Sequence, residues 1–237
     1  MEVDRAQGPF DEWGSGGSRL PVAIERKVNE DGEESLEMKP TRGFHSRGTR
    51  DPRLPPGQYD VGRDWPVLTA EATPTLSTAT WTFSIGGLVE QSMKWTWDEI
   101  RALPDSTYAG DIHCVTTWSK LGVSFRGVSV DTVLAAARPL ASASHVLATS
   151  HTGYTTNLPL ADVTAGKAWV VWEFEGEPLA REHGGPARLL VPHLYFWKSA
   201  KWVSGLQVMD HDEPGFWEQN GYHDRGDPWL EERYQGD

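Results

Sequence analysis

Cys114 is the only cysteine in this chain of 237 residues, and its type and setting suggest chemistry most directly. Apolar and β-prone residues lead up to it, and a polar, glycine-containing segment follows it. A cysteine at the end of a strand is either a small buried hydrophobic residue or a reactive thiolate. The residue type leaves both interpretations open, so the choice depends on which other groups could share a site with the thiol.

A cluster of polar residues downstream of Cys114 could bind an anion. It occupies the segments 182–188 and 193–202, and its two adjacent glycines permit tight backbone conformations and the close approach of a ligand. Its side chains could hold a phosphate through charge-assisted hydrogen bonds. They are Arg188, Lys198, Ser199 and Lys201. The alternative is a surface hairpin whose charged groups point into water.

A second basic stretch lies between residues 41 and 63. Its arginines are Arg42, Arg47, Arg50, Arg53 and Arg63. The adjacent prolines at 55 and 56 predict a loop. The arginines either form a solvated basic loop or cradle an anion with their planar donor groups.

Composition and charge narrow the class of partner. The net charge of −12 argues against nucleic acid and anionic membranes, because both require basic patches. The chain has no run of about 18 apolar residues, so we expect no membrane span. Met1–Leu20 lacks the apolar segment of a secretory signal, and one cysteine permits no internal disulfide. We therefore expect a cytoplasmic protein.

The elements that must position these residues are mostly strands. Alternating apolar and polar residues predict a strand at 81–85, and a strongly apolar run predicts another at 168–174. Further strands are predicted at 108–114, 145–149, 188–191 and 202–208. A capping box that begins at Thr96 predicts a short helix that Pro104 ends, and the apolar spacing over 129–137 predicts a second helix. Many strands and few short helices indicate an α+β fold with a β-rich core.

The domain organisation follows from the change in composition near residue 40. A Gly/Ser run at 14–18 and a charge run at 29–34 predict a flexible tail over residues 1–40. One domain is expected over residues 41–237. The aromatic segment 215–229 is expected to fold back over this domain.

Four short motifs, in this order along the chain, resemble the sulfite oxidase family of molybdopterin enzymes. They are Cys-Val-Thr-Thr-Trp-Ser at 114–119, Tyr154 to Pro159, His-Gly-Gly-Pro-Ala-Arg at 183–188 and Lys-Ser-Ala-Lys-Trp at 198–202. The resemblance covers about residues 41–237. The closer likeness is to the bacterial branch that includes the catalytic subunit of protein-methionine-sulfoxide reductase. It implies a sulfite-oxidase-type molybdopterin-binding fold with mixed β-sheets and short helices.

The resemblance implies roles for individual residues. Cys114 would ligate molybdenum, which the dithiolene of one molybdopterin otherwise holds, and a soft thiolate suits such a metal. The residues implied to contact the cofactor are His45, Ser46, Arg47, Gly48, Thr49, Thr149, Ser150, His183, Arg188, Ser199, Ala200 and Lys201. Among these, 199–201 would hold the phosphate, and Arg47 would lie near the substrate oxyanion.

Four positions bear on substrate choice. Tyr222 follows Trp217 by five residues, which is the spacing of an active-site tyrosine in sulfite oxidases, although a core aromatic is the alternative. Gly48 and Thr49 depart from the Asn-His usual in sulfite oxidases. Ser119 stands where these enzymes commonly carry an arginine that binds the sulfur oxyanion. The loss of this arginine favours a neutral acceptor over the sulfite dianion as substrate.

The resemblance implies an oxidoreductase that transfers an oxygen atom to or from a small sulfoxide, N-oxide or sulfite-like substrate. Since the chain shows no haem domain, it implies an external electron-transfer partner, either a haem protein or a flavin or iron–sulfur protein. The alternative from a different class is a non-catalytic module that binds its ligand with a surface rich in tryptophan, of which the chain has twelve.

Overall fold

The structure is a computed structural model that describes residues 51–237 in full and, before them, only the backbone of two strands. These strands, β1 (Val22–Val28) and β2 (Glu34–Pro40), pair antiparallel. The chain divides into two compact units, Met1–Thr49 and Arg50–Asp237. The hairpin lies within the stretch for which the sequence predicts a flexible tail, and the domain boundary at residue 41 stays a prediction.

The first sheet of the larger unit has six strands and centres on β7 (Trp118–Ser129), the strand that follows Cys114. Antiparallel to β7 runs β6 (Asp105–His113), which leads into the cysteine. β7 also pairs with β3 (Tyr59–Asp60) near its start and with β10 (Trp169–Phe174) near its end. The remaining strands, which pair with β10, are β11 (Glu177–Pro178) and β12 (Arg188–Leu190).

The second sheet has five strands. They are β4 (Thr82–Gly87), β5 (Met93–Thr96), β8 (His145–Ser150), β9 (Thr155–Pro159) and β13 (Val203–Met209). The order across the sheet is β5-β4-β13-β8-β9. Only the β4–β13 pair is parallel among the neighbours in this sheet.

The helices are short and have clear local causes. The helix α1 (Trp97–Arg101) opens with a capping box in which Thr96 and Glu99 satisfy each other's backbone N–H groups. Ser129 caps the start of α2 (Val130–Ala137) by accepting from Asp131 N. The remaining α-helices are α3 (Leu160–Val163) and α4 (Phe216–Gln219), and 3-10 turns occur at Arg181–His183 and Phe196–Lys198.

Two apolar clusters form the core. The larger one joins side chains of the second sheet, such as Phe83 and Leu206, to Val133 and Leu134 of α2. The smaller one lies on the six-stranded sheet and includes Cys114. The other buried members of this cluster are Ile112, Trp118, Val123, Phe125, Val171, Leu179, Leu190 and Phe196. The cysteine therefore sits at the edge of a packed apolar layer.

The predicted α+β class is confirmed, and each predicted strand and helix overlaps an observed one. The polar, glycine-containing segment after Cys114 is the main difference, because it forms β7, the longest strand in the described part of the chain. A Cβ atom at Gly127 would lie 2.1 Å from the Val170 carbonyl oxygen, so this glycine permits β10 to approach β7. Within the described residues, no helix has the length and apolar character needed to cross a membrane.

Candidate active site

Cys114 lies in the short loop that joins β6 to β7. Thr117 N donates to the Cys114 carbonyl at 3.0 Å, and Cys114 N donates to the Trp118 carbonyl at 2.8 Å. These bonds close a tight turn in which Thr117 has a positive φ of 78°. From the side, Gln58 Nε2 donates to the Cys114 carbonyl at 3.0 Å. The cysteine is thus held by hydrogen bonds on both sides of its peptide.

The Cys114 thiol is almost fully buried and has one polar neighbour, Thr116 Oγ1, at 3.1 Å. Burial raises the pKa of this thiol, against the hydrogen bonds with Thr116 and the positive charges of Arg233 and Lys201. A thiol in this setting keeps its proton at neutral pH unless a metal displaces it, since a coordinating thiol is deprotonated.

A cavity of about 270 Å³ lies beside the thiol. Its walls come from the Cys114 loop, the loop 65–71, the segment 196–202 and the region around α4. Most of the larger side chains that line it are aromatic. They are Trp65, Trp118, Tyr154, Phe196, Trp197, Trp202, Trp217 and Tyr222. Apolar walls with a few convergent polar groups are typical of small-molecule sites.

Arg188 is fully buried at the polar end of the cavity. Its guanidinium donates to the carbonyls of Leu189 at 3.3 Å, His183 at 2.8 Å and Ser199 at 2.6 Å. It also lies 4.0 Å from the ring centroid of Phe196. Since an arginine has five N–H groups, about two remain for a ligand. Burial lowers the pKa of Arg188 to about 9, so the group is still charged at neutral pH.

Lys201 adds a second positive charge to the same end. Its Nζ donates to the carbonyls of Leu68 at 2.8 Å and Glu182 at 2.7 Å, which leaves one N–H free. Burial and the nearby Arg188 lower the pKa of Lys201 to about 8. Two adjacent cations with unused donors favour an anionic ligand group.

Gly184 allows these two cations to come together. It has a φ of 109°, and a Cβ atom at this position would lie 3.0 Å from Arg188 Cβ and 3.1 Å from Lys201 Cα. The sequence predicts that the glycine pair permits close approach of a ligand; at Gly184 it is two segments of the chain that approach each other. Any larger residue would be strained in its backbone and would push the two cationic segments apart.

His183 lies flat against Trp65, with ring centroids 3.7 Å apart and planes 6° apart. Burial, followed by the positive charge of Arg188, lowers the pKa of His183 to about 4. The imidazole is therefore neutral at physiological pH. The stack with Trp65 and the Lys201–Leu68 hydrogen bond hold the loop 65–71 over the cavity at two points.

The aromatic segment around α4 folds back over the domain, as predicted. Trp217 and Tyr222 line the cavity, and their ring centroids lie 4.8 Å apart. Tyr222 also contacts Trp197 at 5.2 Å. Burial raises the pKa of Tyr222 to about 12, so its hydroxyl remains a hydrogen-bond donor at neutral pH.

A buried ion pair fixes this segment from behind. Lys198 Nζ lies 2.6 Å from Glu218 Oε1, and both side chains are fully buried. The same Glu218 oxygen accepts from Trp197 Nε1 at 2.9 Å and Thr156 Oγ1 at 3.0 Å. Lys198 is therefore used by this network and does not line the cavity, unlike the phosphate-binding role considered for it from the sequence.

The structure brings together most of the expected site residues that lie in the described part of the chain. Those that line the cavity are Cys114, His183, Arg188, Ser199, Ala200, Lys201 and Tyr222. Ser150 lies behind it and donates to the Lys201 carbonyl at 2.6 Å. Thr149 lies elsewhere, on the five-stranded sheet, where its Oγ1 hydrogen bonds with Ser204 Oγ at 3.1 Å. His45, Ser46, Arg47, Gly48 and Thr49 lie outside the described residues.

Ser119 is buried away from the cavity. Its hydroxyl donates to Gln58 Oε1 at 3.2 Å and hydrogen bonds with His113 Nδ1 at 2.8 Å. Lys120, the nearby cation that could have replaced the missing arginine, donates to the carbonyls of residues 62, 63 and 64. Neither residue is therefore positioned to bind a substrate oxyanion in this cavity.

Several lining residues were not found by sequence reasoning. Trp65 and Glu71 lie in the loop after the basic stretch, which had no motif to mark it. Trp118 belongs to the motif that contains Cys114, and its Nε1 is buried without a hydrogen-bond partner among the described residues. The sequence signal that could have found such residues is an aromatic residue in a loop next to a motif, and this signal is weak by itself.

Comparison with known proteins places the chain among molybdopterin oxidoreductases. A profile of the oxidoreductase molybdopterin-binding domain matches residues 70–217. An uncharacterized oxidoreductase, YuiH of Bacillus subtilis, is 42% identical over 186 residues, which cover 78% of this chain and 93% of that protein.

Two further matches, one by sequence and one by structure, cover only a little more than half of the other protein's length. The protein-methionine-sulfoxide reductase catalytic subunit MsrP of Gluconobacter oxydans is 25% identical over 68% of this chain, and the matched part is 56% of that protein. The sulfane dehydrogenase SoxCD of Paracoccus pantotrophus has a solved structure that matches with a TM-score of 0.56 and 19% identity, over 86% of this chain and 58% of that one. This structural match shows a shared fold.

Proposed function

The chain belongs to the oxidoreductase molybdopterin-binding domain family, and from this membership we propose that it transfers oxygen atoms at a molybdenum ligated by Cys114. It is an enzyme of the sulfite oxidase type that uses a molybdopterin cofactor, so the resemblance seen in its four motifs is confirmed. The alternative of a non-catalytic module is set aside.

The donor set of the cavity fits this cofactor. It contains a thiol for a soft metal, two cations with unused N–H groups for a phosphate, and aromatic walls for a flat ring system. Cys114 and Arg188 line the same cavity although 74 residues of sequence separate them. This convergence is the single observation that carries the proposal.

When bound, the molybdenum cofactor supplies two-electron oxygen-atom transfer. The chain's own residues bind and orient it. Arg188, Lys201 and the Ser199 hydroxyl would hold the phosphate end, and neutral His183, held by its stack on Trp65, would contact the ring system. Of the residues outside the described part, His45–Thr49 remain predicted cofactor contacts.

Tyr222 is proposed to orient the substrate. It lines the same cavity as Cys114 and keeps its proton at neutral pH, so it can donate a hydrogen bond to the oxygen of a sulfoxide or N-oxide. The loop 65–71 and the aromatic walls exclude water from this contact.

We propose that the enzyme reduces small sulfoxides or N-oxides in preference to oxidising sulfite. Within the described residues, the cations that line the cavity are Arg188 and Lys201 with neutral His183 between them, and both are assigned to the phosphate. Position 119 is a serine and not an arginine, and the ammonium group of Lys120 donates its hydrogen bonds to three backbone carbonyls. Among the described residues a dianion would meet aromatic walls, which suit a neutral sulfoxide better. Arg47, which is predicted near the substrate oxyanion, lies outside these residues. The relative MsrP, by its name, reduces methionine sulfoxide in proteins, which supports this direction.

Steady-state assays in both directions on molybdenum-replete protein test the proposal. We expect turnover of dimethyl sulfoxide or trimethylamine N-oxide with reduced methyl viologen as donor, at a higher specificity constant than sulfite oxidation. Efficient sulfite oxidation with a KM of about 1 μM, the low end of enzyme values, and no sulfoxide turnover would overturn the substrate preference. The electron-transfer partner and the cytoplasmic location remain predictions.

A further inference from the structure

The segment 224–237 carries an exposed apolar patch, which we call the Trp229 patch. It consists of Trp229, Leu230 and Tyr234, which are 50%, 65% and 52% exposed. Exposed apolar side chains that form a contiguous patch often mark a protein interaction site. Tryptophan and tyrosine are also the residues that most often form the centre of a protein–protein interface.

Acidic side chains lie in the same segment as the Trp229 patch. Asp224, Glu231 and Asp237 are exposed, and Asp237 accepts from Tyr234 N at 2.7 Å. The two arginines of the segment are paired within the chain: Arg225 with Asp162 at 3.0 Å, and Arg233 with the Val115 carbonyl at 2.6 Å and with Glu231 at 3.9 Å. The patch therefore has an apolar centre and a negative rim.

This charge selects among possible occupants. A second copy of the chain in a two-fold contact would bring the same acidic rim against itself. An anionic lipid surface would be repelled as well. A protein with a basic rim around an apolar centre is attracted, and its association is accelerated by the net charge of −12.

The Trp229 patch lies one layer of residues from the cysteine. Arg233, next to Tyr234, bonds to the carbonyl of the residue that follows Cys114. The Tyr234 ring lies 5.4 Å from Tyr222, which lines the cavity. The Trp229 ring lies 6.2 Å from His113, which precedes Cys114. A protein bound here would be close to the metal site without entering the cavity.

We propose that the Trp229 patch docks a basic one-electron carrier protein that exchanges electrons with the site. This inference rests on the proposed function. For each sulfoxide reduced, two reduced carriers each give one electron, and the sulfoxide takes up two protons. The products are one sulfide, one water and two oxidised carriers.

The test uses oxidised cytochrome c, a basic one-electron carrier, and the double variant Trp229→Ala, Leu230→Ala. Both residues are exposed and neither lines the cavity, so the variant is expected to fold. We expect its affinity for cytochrome c at low salt to fall by about tenfold or more, while methyl viologen-driven turnover changes by less than about twofold. The control Leu140→Ala removes another exposed leucine, 40% exposed and located before β8, and should change neither quantity.

A second measurement follows electron transfer itself. Protein reduced with titanium(III) citrate is mixed with oxidised cytochrome c, and each doubly reduced enzyme should reduce two cytochromes. The rate should fall with salt and in the double variant, and also in Glu231→Lys.

The outcomes separate the two proposals. Patch-dependent cytochrome binding without viologen-driven turnover would keep the docking surface and overturn the proposed function. Turnover with cytochrome binding unchanged in the double variant would overturn the docking surface. So would a wild-type dimer that the double variant dissociates in analytical ultracentrifugation, or equal binding of the acidic carrier flavodoxin.

Discussion

At the scale of single residues, Cys114 should separate metal binding from folding. In Cys114→Ala we expect molybdenum content and turnover to be lost, because the variant lacks the thiolate. The fold should persist, because the side chain is small and makes only one polar contact, with Thr116. Elemental analysis of purified protein and thermal unfolding by circular dichroism measure the two effects.

Cys114→Ser serves as the matched control, since it keeps the size of the side chain but offers a harder ligand. Full molybdenum content and wild-type turnover in the alanine variant would show that the metal is held elsewhere.

Lys201 should make cofactor retention depend on pH. Burial lowers the pKa of Lys201 to about 8, so its ammonium group is charged below that pH. A bound phosphate would raise this pKa, so the charge contributes to binding below about pH 8 and the contribution is lost as pH rises through the pKa of the complex. We expect the protein to release molybdopterin more readily at about pH 9 than at pH 7.

The variant Lys201→Ala should bind less pterin at pH 7 and lose this pH dependence. One charge-assisted contact is worth about 1.5–3 kcal/mol, or about 10- to 150-fold in affinity. Pterin fluorescence after denaturation measures the content, and Lys167→Ala, a change at an exposed lysine, is the control. An unchanged pterin content at both pH values would remove Lys201 from the site.

The sequence predicts the site best where a motif combines a rare residue type with glycine. Cys114 is unique, and 183–188 and 198–202 carry cations next to a glycine pair, so their chemistry is visible without a structure. Trp65 could not be predicted, because its role depends on stacking against His183, which is 118 residues away in the chain. The same holds for Lys198, whose partner Glu218 comes from a different element.

At the scale of elements, the Lys198–Glu218 pair holds α4 against the 3-10 turn at Phe196–Lys198. In Glu218→Ala the Lys198 ammonium would stay buried without its carboxylate. We expect a loss of about 3–5 kcal/mol in the free energy of unfolding, measured by urea denaturation. Trp197 and Trp217 should become more accessible, which acrylamide quenching of fluorescence detects.

The double variant Lys198→Met, Glu218→Leu is the matched comparison, because it replaces both charges with apolar groups. It should recover most of the lost stability. If the single variant is as stable as wild type, the pair does not anchor α4.

The strand β7 shows why the prediction of elements was incomplete. Val123, Ser124 and Phe125 alternate between apolar and polar as a strand should, but Gly122 and Gly127 interrupt the pattern. In a sequence, glycine indicates a turn. In this sheet Gly127 instead makes room for the β10 backbone, and only the position of β10 reveals that. Fold class follows from local patterns, whereas the centre of the sheet depends on a long-range approach.

At the scale of the whole molecule, truncation tests the predicted domain boundary. A protein that lacks residues 1–40 should keep its cofactor, because the predicted contacts at His45–Thr49 remain. A protein that lacks residues 1–50 should fold, since Arg50–Asp237 is a compact unit, but lose most of its molybdenum. Elemental analysis of both proteins decides between them.

Equal molybdenum content in the two truncated proteins would show that residues 41–50 do not bind the cofactor. Loss of molybdenum from both would place essential contacts before residue 41.

The positive φ of Thr117 has a consequence for the order of events during maturation. A β-branched residue in this conformation is strained by about 1–3 kcal/mol and persists only when its surroundings enforce it. Here two backbone hydrogen bonds, neither of which involves the Cys114 thiol, enforce it. The loop therefore loses little conformational entropy when the metal binds. Metal insertion then occurs at a preorganised site and is not coupled to folding of the loop.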